Sequence, residues 1–209
     1  MLNFLIVIFA VTLIYISVAE RFRAYAKLIA AQGILLMGIA LLELKEVNTA
    51  NLVFIVAETL IFKTIVVPYL LFKIIGRTGI YKVHAKALPG FYSLILSLLA
   101  LVLSIIMANA LVNQYIDGVY LTIALFTLFT GVLLIVTHKL LLSHMIGFLV
   151  IENAVFMFSM ALGNEMAMLI NIGILLDIFV SVLIISILIN QIGSKLNKME
   201  AESLNTLKN

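Results

Sequence analysis

Long uninterrupted apolar segments are the feature that most limits what this chain can fold into. They number seven and run approximately from Leu2 to Ala19, Leu28 to Leu44, Leu52 to Ile75, Gly90 to Val112, Val119 to Thr137, Leu140 to Leu162 and Ala167 to Gln191. A helix of roughly 20 apolar residues crosses about 30 Å of hydrocarbon. The segments are continuously apolar rather than alternating, which indicates helices. The sequence therefore predicts an all-α protein, a polytopic bundle of seven transmembrane helices.

The composition excludes a water-soluble domain of the same length. Of the 209 residues, 65% are hydrophobic and 11% are charged, and the mean hydropathy is +1.27. A soluble domain cannot hide that much apolar surface in its core. We expect one integral membrane domain over residues 1–209, in which residues 193–209 form a polar cytoplasmic tail.

Proline, cysteine and histidine give little indication of a cofactor. Pro68 falls inside the third segment, where it removes a backbone donor and should bend the helix unless its neighbours compensate. The chain contains no cysteine, which excludes thiolate-held clusters and disulfides. His138 and His144 are separated by roughly 120° around a helix and do not form a ligand pair. We predict neither a cofactor nor a metal site.

The distribution of basic residues predicts the orientation of the helices. Basic side chains follow the first, third and fifth segments and the last one: Arg21, Arg23, Lys27, Lys73, Arg77, Lys82, Lys86, Lys139, Lys195, Lys198 and Lys208. The opposite connections hold Glu43, Lys45, Glu46, Asp117 and Glu165. By the positive-inside rule the basic side is cytoplasmic, with the N-terminus outside and the C-terminus inside. Basic cytoplasmic loops meet anionic lipid headgroups, and this explains the formal net charge of +3 without a nucleic-acid partner.

Four ionisable residues lie well inside predicted spans. Glu58 and Lys63 are in the third, Glu152 is in the sixth and Asp177 is in the seventh. Each costs a few kcal/mol on insertion scales, so a charge at such depth indicates function. The structural alternative is that these groups only hold helices together through hydrogen bonds.

Glu152 and Asp177 are both predicted near the membrane midplane. Glu152 lies about 18 Å of helix rise from the cytoplasmic end of its span, and Asp177 about 15 Å from the outer end of the next. The two spans are consecutive and antiparallel, so we expect them to pack together. Desolvation favours the protonated form of a carboxyl, which could then load and release protons near neutral pH.

Glu58 and Lys63 are not predicted to form a well-aligned ion pair within their own helix. A spacing of five residues separates them by about 140° around an α-helix. Lys63 shares a face with Thr59, and we expect it to reach a carboxylate on another helix.

Several of these residues lie in stretches that resemble a known family. Gly147-Phe148-Leu149-Val150-Ile151-Glu152-Asn153, Gly173-Ile174-Leu175-Leu176-Asp177, and the segment from Phe62 through Lys63 to Pro68 and Tyr69 are similar to the hydrogenase-4 component E family. Its members are membrane subunits of complex I-like hydrogenases and formate hydrogenlyases. The resemblance covers most of the chain.

The resemblance implies a division of the chain and a set of roles. Residues 1–115 would form four N-terminal helices, and residues 116–192 would be similar to the K subunit of complex I. Glu152 would stand at the essential glutamate of the K subunit's second helix. Asp177 would stand near the acidic residue of its third helix, although glutamate is expected there.

The expected function is that of a non-catalytic subunit of a proton- or sodium-translocating oxidoreductase complex in the cell inner membrane. Glu152, Asp177, Glu58 and Lys63 would form its proton relay. Its partners would be antiporter-like and hydrogenase membrane-anchor subunits and the lipid bilayer. A free-standing secondary transporter and an assembly scaffold are the alternatives; a transporter would more commonly show internal repeats, which are not visible here.

Overall fold

The computed structural model describes residues 1–43, 56–78 and 89–162, and this part of the chain is helical apart from short connections. The helices are α1 (Leu2–Val18), α2 (Phe22–Glu43), α3, α4 (Gly90–Leu111), α5 (Gly118–Thr137) and α6 (Leu141–Ala161). The helix α3 has a π-helical first part, Ala57–Val66, and an α-helical second part, Val67–Thr78. The prediction of an all-α fold is confirmed for these residues.

Five of the helical segments are long and apolar enough to cross a membrane: Phe22–Glu43, Thr59–Gly76, Gly90–Leu111, Gly118–Thr137 and Leu142–Ala161. The helix α1 is apolar but has only 17 residues, which is about 25 Å of rise. The seventh predicted segment, from Ala167 to Gln191, lies outside the described residues. The described residues therefore contain five candidate spans, and the count of seven stays a prediction.

The helix α2 begins at Phe22, six residues before the predicted start at Leu28. The extra turns contain Arg23 and Lys27, whose side chains are exposed. Long cationic side chains can keep their charge in water while their stems lie along apolar surface. Hydropathy alone therefore places the start of such a helix too late.

The helix α2 occupies the centre of the packing, in contact with α1, α3 and α6. The most extensive contact joins α5 and α6, which are antiparallel neighbours linked by a short connection. Their backbones approach closely where Gly131 faces Gly147, since a Cβ on either glycine would lie 2.8 Å from the other's carbonyl oxygen. Two small residues thus set the distance between these helices.

The two ends of the helices differ in charge, and we name each for the charge that predominates there. The acidic end carries Glu43 and Asp117, and the basic end carries Arg21 and Lys139 together with one carboxylate, Glu20. At the acidic end, the Tyr120 hydroxyl donates to Glu43 Oε2 at 2.9 Å, and the Asp117 amide donates to the Ala161 carbonyl at 2.8 Å. At the other end, Tyr25 contacts His138, close to Arg21 and Lys139 in sequence. The alternating charge pattern expected of antiparallel spans is seen in part, in the described connections. Which end faces the cytoplasm stays a prediction.

Candidate functional site

Glu152 lies inside the helix bundle and not on its outer surface. It falls near the middle of α6, and its side chain is 5% exposed. Its neighbours Asn153 and Phe156 are also buried, whereas Phe148 on the same helix is exposed. A carboxyl at this depth is expensive unless it faces the protein interior. The Glu152 side chain therefore faces the other described helices, and its depth in the membrane stays a prediction.

Lys63 brings the opposite charge to the same helix face. Its side chain is 4% exposed, and its Nζ lies 5.2 Å from the centre of the Phe156 ring. Phe156 follows Glu152 by one helical turn, so the two side chains share a face of α6. This contact brings Lys63 to the helix that carries Glu152. The expectation that its ammonium reaches a carboxylate on another helix stays a prediction.

The π-helical form of Ala57–Val66 changes the relation between positions 58 and 63. A π-helix joins residues five apart by backbone hydrogen bonds, so positions 58 and 63 follow one another by about one turn. The separation of about 140° predicted for an α-helix does not apply. The Glu58 side chain lies outside the described part of the structure.

The helix form changes near Pro68. The π-helical part ends at Val66, and Pro68 is the second residue of the α-helical part. Proline has no backbone N–H to donate and is tolerated in the first turn of an α-helix. Pro68 therefore coincides with a change of helix type.

The helix α2 holds α3 close through a glycine. A Cβ added to Gly33 would lie 2.6 Å from Thr64 Oγ1 and 3.2 Å from Lys63 Cβ. Only a residue without a side chain permits this approach. Gly33 thus allows Lys63 to lie against α2 and to extend toward α6.

A series of buried side-chain hydrogen bonds crosses the bundle beside Glu152 and Lys63. Asn153 Nδ2 donates to Gln32 Oε1 at 3.0 Å, and Gln32 Nε2 donates to Thr12 Oγ1 at 3.0 Å. Gln32 is completely buried, at 0% exposure. This series of hydrogen bonds joins α6, α2 and α1 near the middle of the bundle. Sequence reasoning did not single out Gln32, although an amide in the middle of an apolar segment is a visible signal.

A second polar cluster lies at the basic end. The Tyr25 hydroxyl donates to the Ala19 carbonyl at 2.9 Å and lies 3.4 Å from His138 Nε2. His138 Nδ1 is 3.0 Å from the Leu134 carbonyl, and His144 Nε2 is 2.6 Å from the His138 carbonyl. These contacts satisfy polar groups at helix ends. The described residues contain no group of three or more His, Asp or Glu side chains that could hold a metal.

The predicted relay residues are only partly brought together in the described structure. Lys63 of α3 contacts Phe156, which lies one turn after Glu152 on α6, and the backbone of Glu58 lies one π-helical turn before Lys63. Asp177 lies outside the described residues, so its pairing with Glu152 stays a prediction. The described groups provide a buried carboxyl, a buried ammonium and neighbouring amides and hydroxyls. Such groups can hold or pass a proton, and they contain no redox centre.

Comparison with known proteins found no matching family model, no similar curated protein and no similar solved structure.

Proposed function

We propose that this chain is a non-catalytic membrane subunit of a complex I-like hydrogenase or a related oxidoreductase complex, in which Glu152 carries protons or sodium ions across the membrane. The main support is the burial of Glu152 and Lys63, which carry opposite charges on two different helices, inside a bundle of apolar helices. Ionisable groups in such a place are costly and are a mark of ion pathways.

The resemblance to the hydrogenase-4 component E family supplies the rest of the proposal. Glu152 and Lys63 fall in stretches that carry the resemblance. In this proposal Asp177 is a second carboxyl, and Glu58 with Lys63 forms a lateral relay toward neighbouring subunits. Those partners are antiporter-like and membrane-anchor subunits. The chain lies in the cell inner membrane, with its basic helix ends on the cytoplasmic side.

The decisive experiment replaces Glu152 by Gln in the assembled complex. The amide keeps the shape of the carboxyl but cannot lose a proton, so ion translocation should fall to the background rate. Translocation is measured in membrane vesicles with a pH-sensitive dye and, in parallel, by sodium uptake in the presence of a protonophore. Dye response without sodium uptake assigns the ion as the proton, and the reverse result assigns sodium.

Glu43→Gln is the matched control. It makes the same chemical change at the acidic end of α2, where Glu43 accepts a hydrogen bond from Tyr120 and the proposed ion path does not require a charge. This variant should translocate at the wild-type rate. An assembled Glu152→Gln complex with normal translocation would contradict the proposal and favour a scaffold. Purification of the wild-type chain as an active transporter without other subunits would favour a secondary transporter.

A further inference from the structure

Gln32 is a buried polar residue that the proposed function does not use. It lies near the middle of the 22-residue helix α2 and is 0% exposed. Its side-chain amide forms hydrogen bonds on both sides, to Asn153 of α6 and to Thr12 of α1. A completely buried amide is costly without partners, so its position depends on two other helices at once.

The direction of this series of hydrogen bonds is determined at one end. The Thr12 hydroxyl donates to the Phe9 carbonyl oxygen at 2.6 Å, and a carbonyl oxygen can only accept. Thr12 Oγ1 must therefore accept the Gln32 bond, so Gln32 presents its NH₂ group to α1. Its carbonyl oxygen is then left to accept from Asn153 Nδ2. Aligned bonds of this kind polarise one another and define a single arrangement.

Two consecutive residues of α2 thus contact the helix segments that carry the two charged groups of the site. Gln32 holds Asn153, the residue next to Glu152 on α6. Gly33 lies against Lys63 on α3, 3.2 Å from Cβ to Cβ if a side chain were added. A rotation of α6 about its axis would break the Asn153 bond and would move Glu152 and Phe156 together away from Lys63 of α3.

We propose that Gln32 is a positioning residue that fixes Glu152 of α6 relative to Lys63 of α3, an inference that rests on the proposed function of Glu152. Gln32 acts through Asn153 and α2 and does not itself carry the ion. Its amide supplies what the arrangement requires, which is one donor toward Thr12 and one acceptor toward Asn153.

Two substitutions of Gln32 test this role in the assembled complex. Gln32→Leu keeps the approximate volume and removes both hydrogen bonds, and translocation in membrane vesicles should fall at least tenfold. Gln32→Glu restores both bonds only when its carboxyl is protonated, because the ionised form has no proton to donate to Thr12. This variant should translocate well at acidic pH and lose translocation as the pH rises, unlike the wild type.

The pH profile separates positioning from a general loss of folding. Gln114→Leu is the control, since Gln114 is exposed and the same change there should have no effect. If Gln32→Leu fails to assemble, Gln32→Glu still decides at acidic pH, where its carboxyl is protonated and both bonds can form: a rate less than a tenth of the wild-type rate at the same pH overturns the proposal. A wild-type rate in Gln32→Leu overturns it as well.

Glu152→Gln in the same vesicles distinguishes the two proposals. If Glu152→Gln is inactive and the Gln32 variants behave as wild type, only the positioning role fails. Normal translocation in Glu152→Gln overturns both.

Discussion

The Lys63 Nζ atom of α3 lies 5.2 Å from the centre of the Phe156 ring of α6. Both residues are buried, so the contact lies in the low-dielectric interior. The negative face of an aromatic ring attracts a cation there. Phe156 of α6 therefore contacts the Lys63 side chain of α3 directly.

Phe156→Leu should lower the free energy of unfolding by about 2 kcal/mol, the value of a desolvated cation–π contact. Leucine keeps most of the apolar contact, so the loss reports mainly on the ring. Denaturant unfolding of the detergent-solubilised chain measures it. Phe148→Leu is the matched control, because Phe148 is 47% exposed on the same helix. Equal effects of the two substitutions would show that the ring does not stabilise Lys63.

Gly33→Ala should separate α2 from α3. The new methyl group would lie 2.6 Å from Thr64 Oγ1, and overpacking of this kind costs about 1–3 kcal/mol. The part of α3 that the methyl group would displace contains Lys63, so translocation should also fall. Gly76→Ala is the control, since a Cβ there meets nothing within 4 Å. Both variants are compared by denaturant unfolding and by translocation in vesicles; a Gly33→Ala variant as stable as Gly76→Ala would contradict the close packing.

The sequence predicts the helices and the burial of Glu152 because these depend on long apolar segments. A continuous apolar segment must satisfy its backbone hydrogen bonds internally, and a carboxyl within it must face the protein. Both requirements follow from local sequence and the membrane alone. The start of α2 was placed too late because Arg23 and Lys27 hide a helical turn from a hydropathy argument.

The helix type of Ala57–Val66 could not be predicted in the same way. The same apolar segment can form an α-helix or a π-helix, so its composition does not determine which one is present. The α-helical angle between Glu58 and Lys63 therefore does not apply in this π-helical segment. The role of Gln32 was also missed, although the residue itself is conspicuous. Its partners Thr12 and Asn153 lie 20 and 121 positions away, and a single sequence does not show which distant residues meet.

Substitution of the paired glycines should weaken the contact between α5 and α6. In Gly147→Ala the new methyl group would lie 2.6 Å from Ile135 Cγ1 and 2.8 Å from the Gly131 carbonyl oxygen. The second of these is backbone, which cannot rotate away, so we expect a loss of stability at the upper end of about 1–3 kcal/mol.

Gly38→Ala provides the comparison for this prediction. Its new methyl group would meet only the tip of the Leu5 side chain, at 3.2 Å, and that side chain can move. Thermal unfolding in detergent should therefore show a clear decrease for Gly147→Ala and little change for Gly38→Ala. The reverse order would indicate that the α5 and α6 backbones are farther apart than described.

At the acidic end of the bundle, a hydrogen bond from the Tyr120 hydroxyl to Glu43 joins α5 to α2. Tyr120→Phe removes the hydroxyl and keeps the ring. Because the acceptor is a carboxylate, the loss should be about 1.5–3 kcal/mol. Tyr115→Phe is the matched control, since Tyr115 is 70% exposed near the same end of the bundle and should change stability very little.

A double-mutant cycle with Glu43→Gln separates the bond from other effects of the substitutions. The amide oxygen of Gln still accepts from the Tyr120 hydroxyl, but as a neutral group, so this variant should lose only the charge-assisted part of the bond. Once the hydroxyl is absent, Glu43→Gln should have almost no further effect on the free energy of unfolding. Residues in direct contact deviate from additivity in this way, while independent residues add. Additive losses in the denaturant unfolding of the three variants would show that α2 and α5 are held together at this end by packing alone.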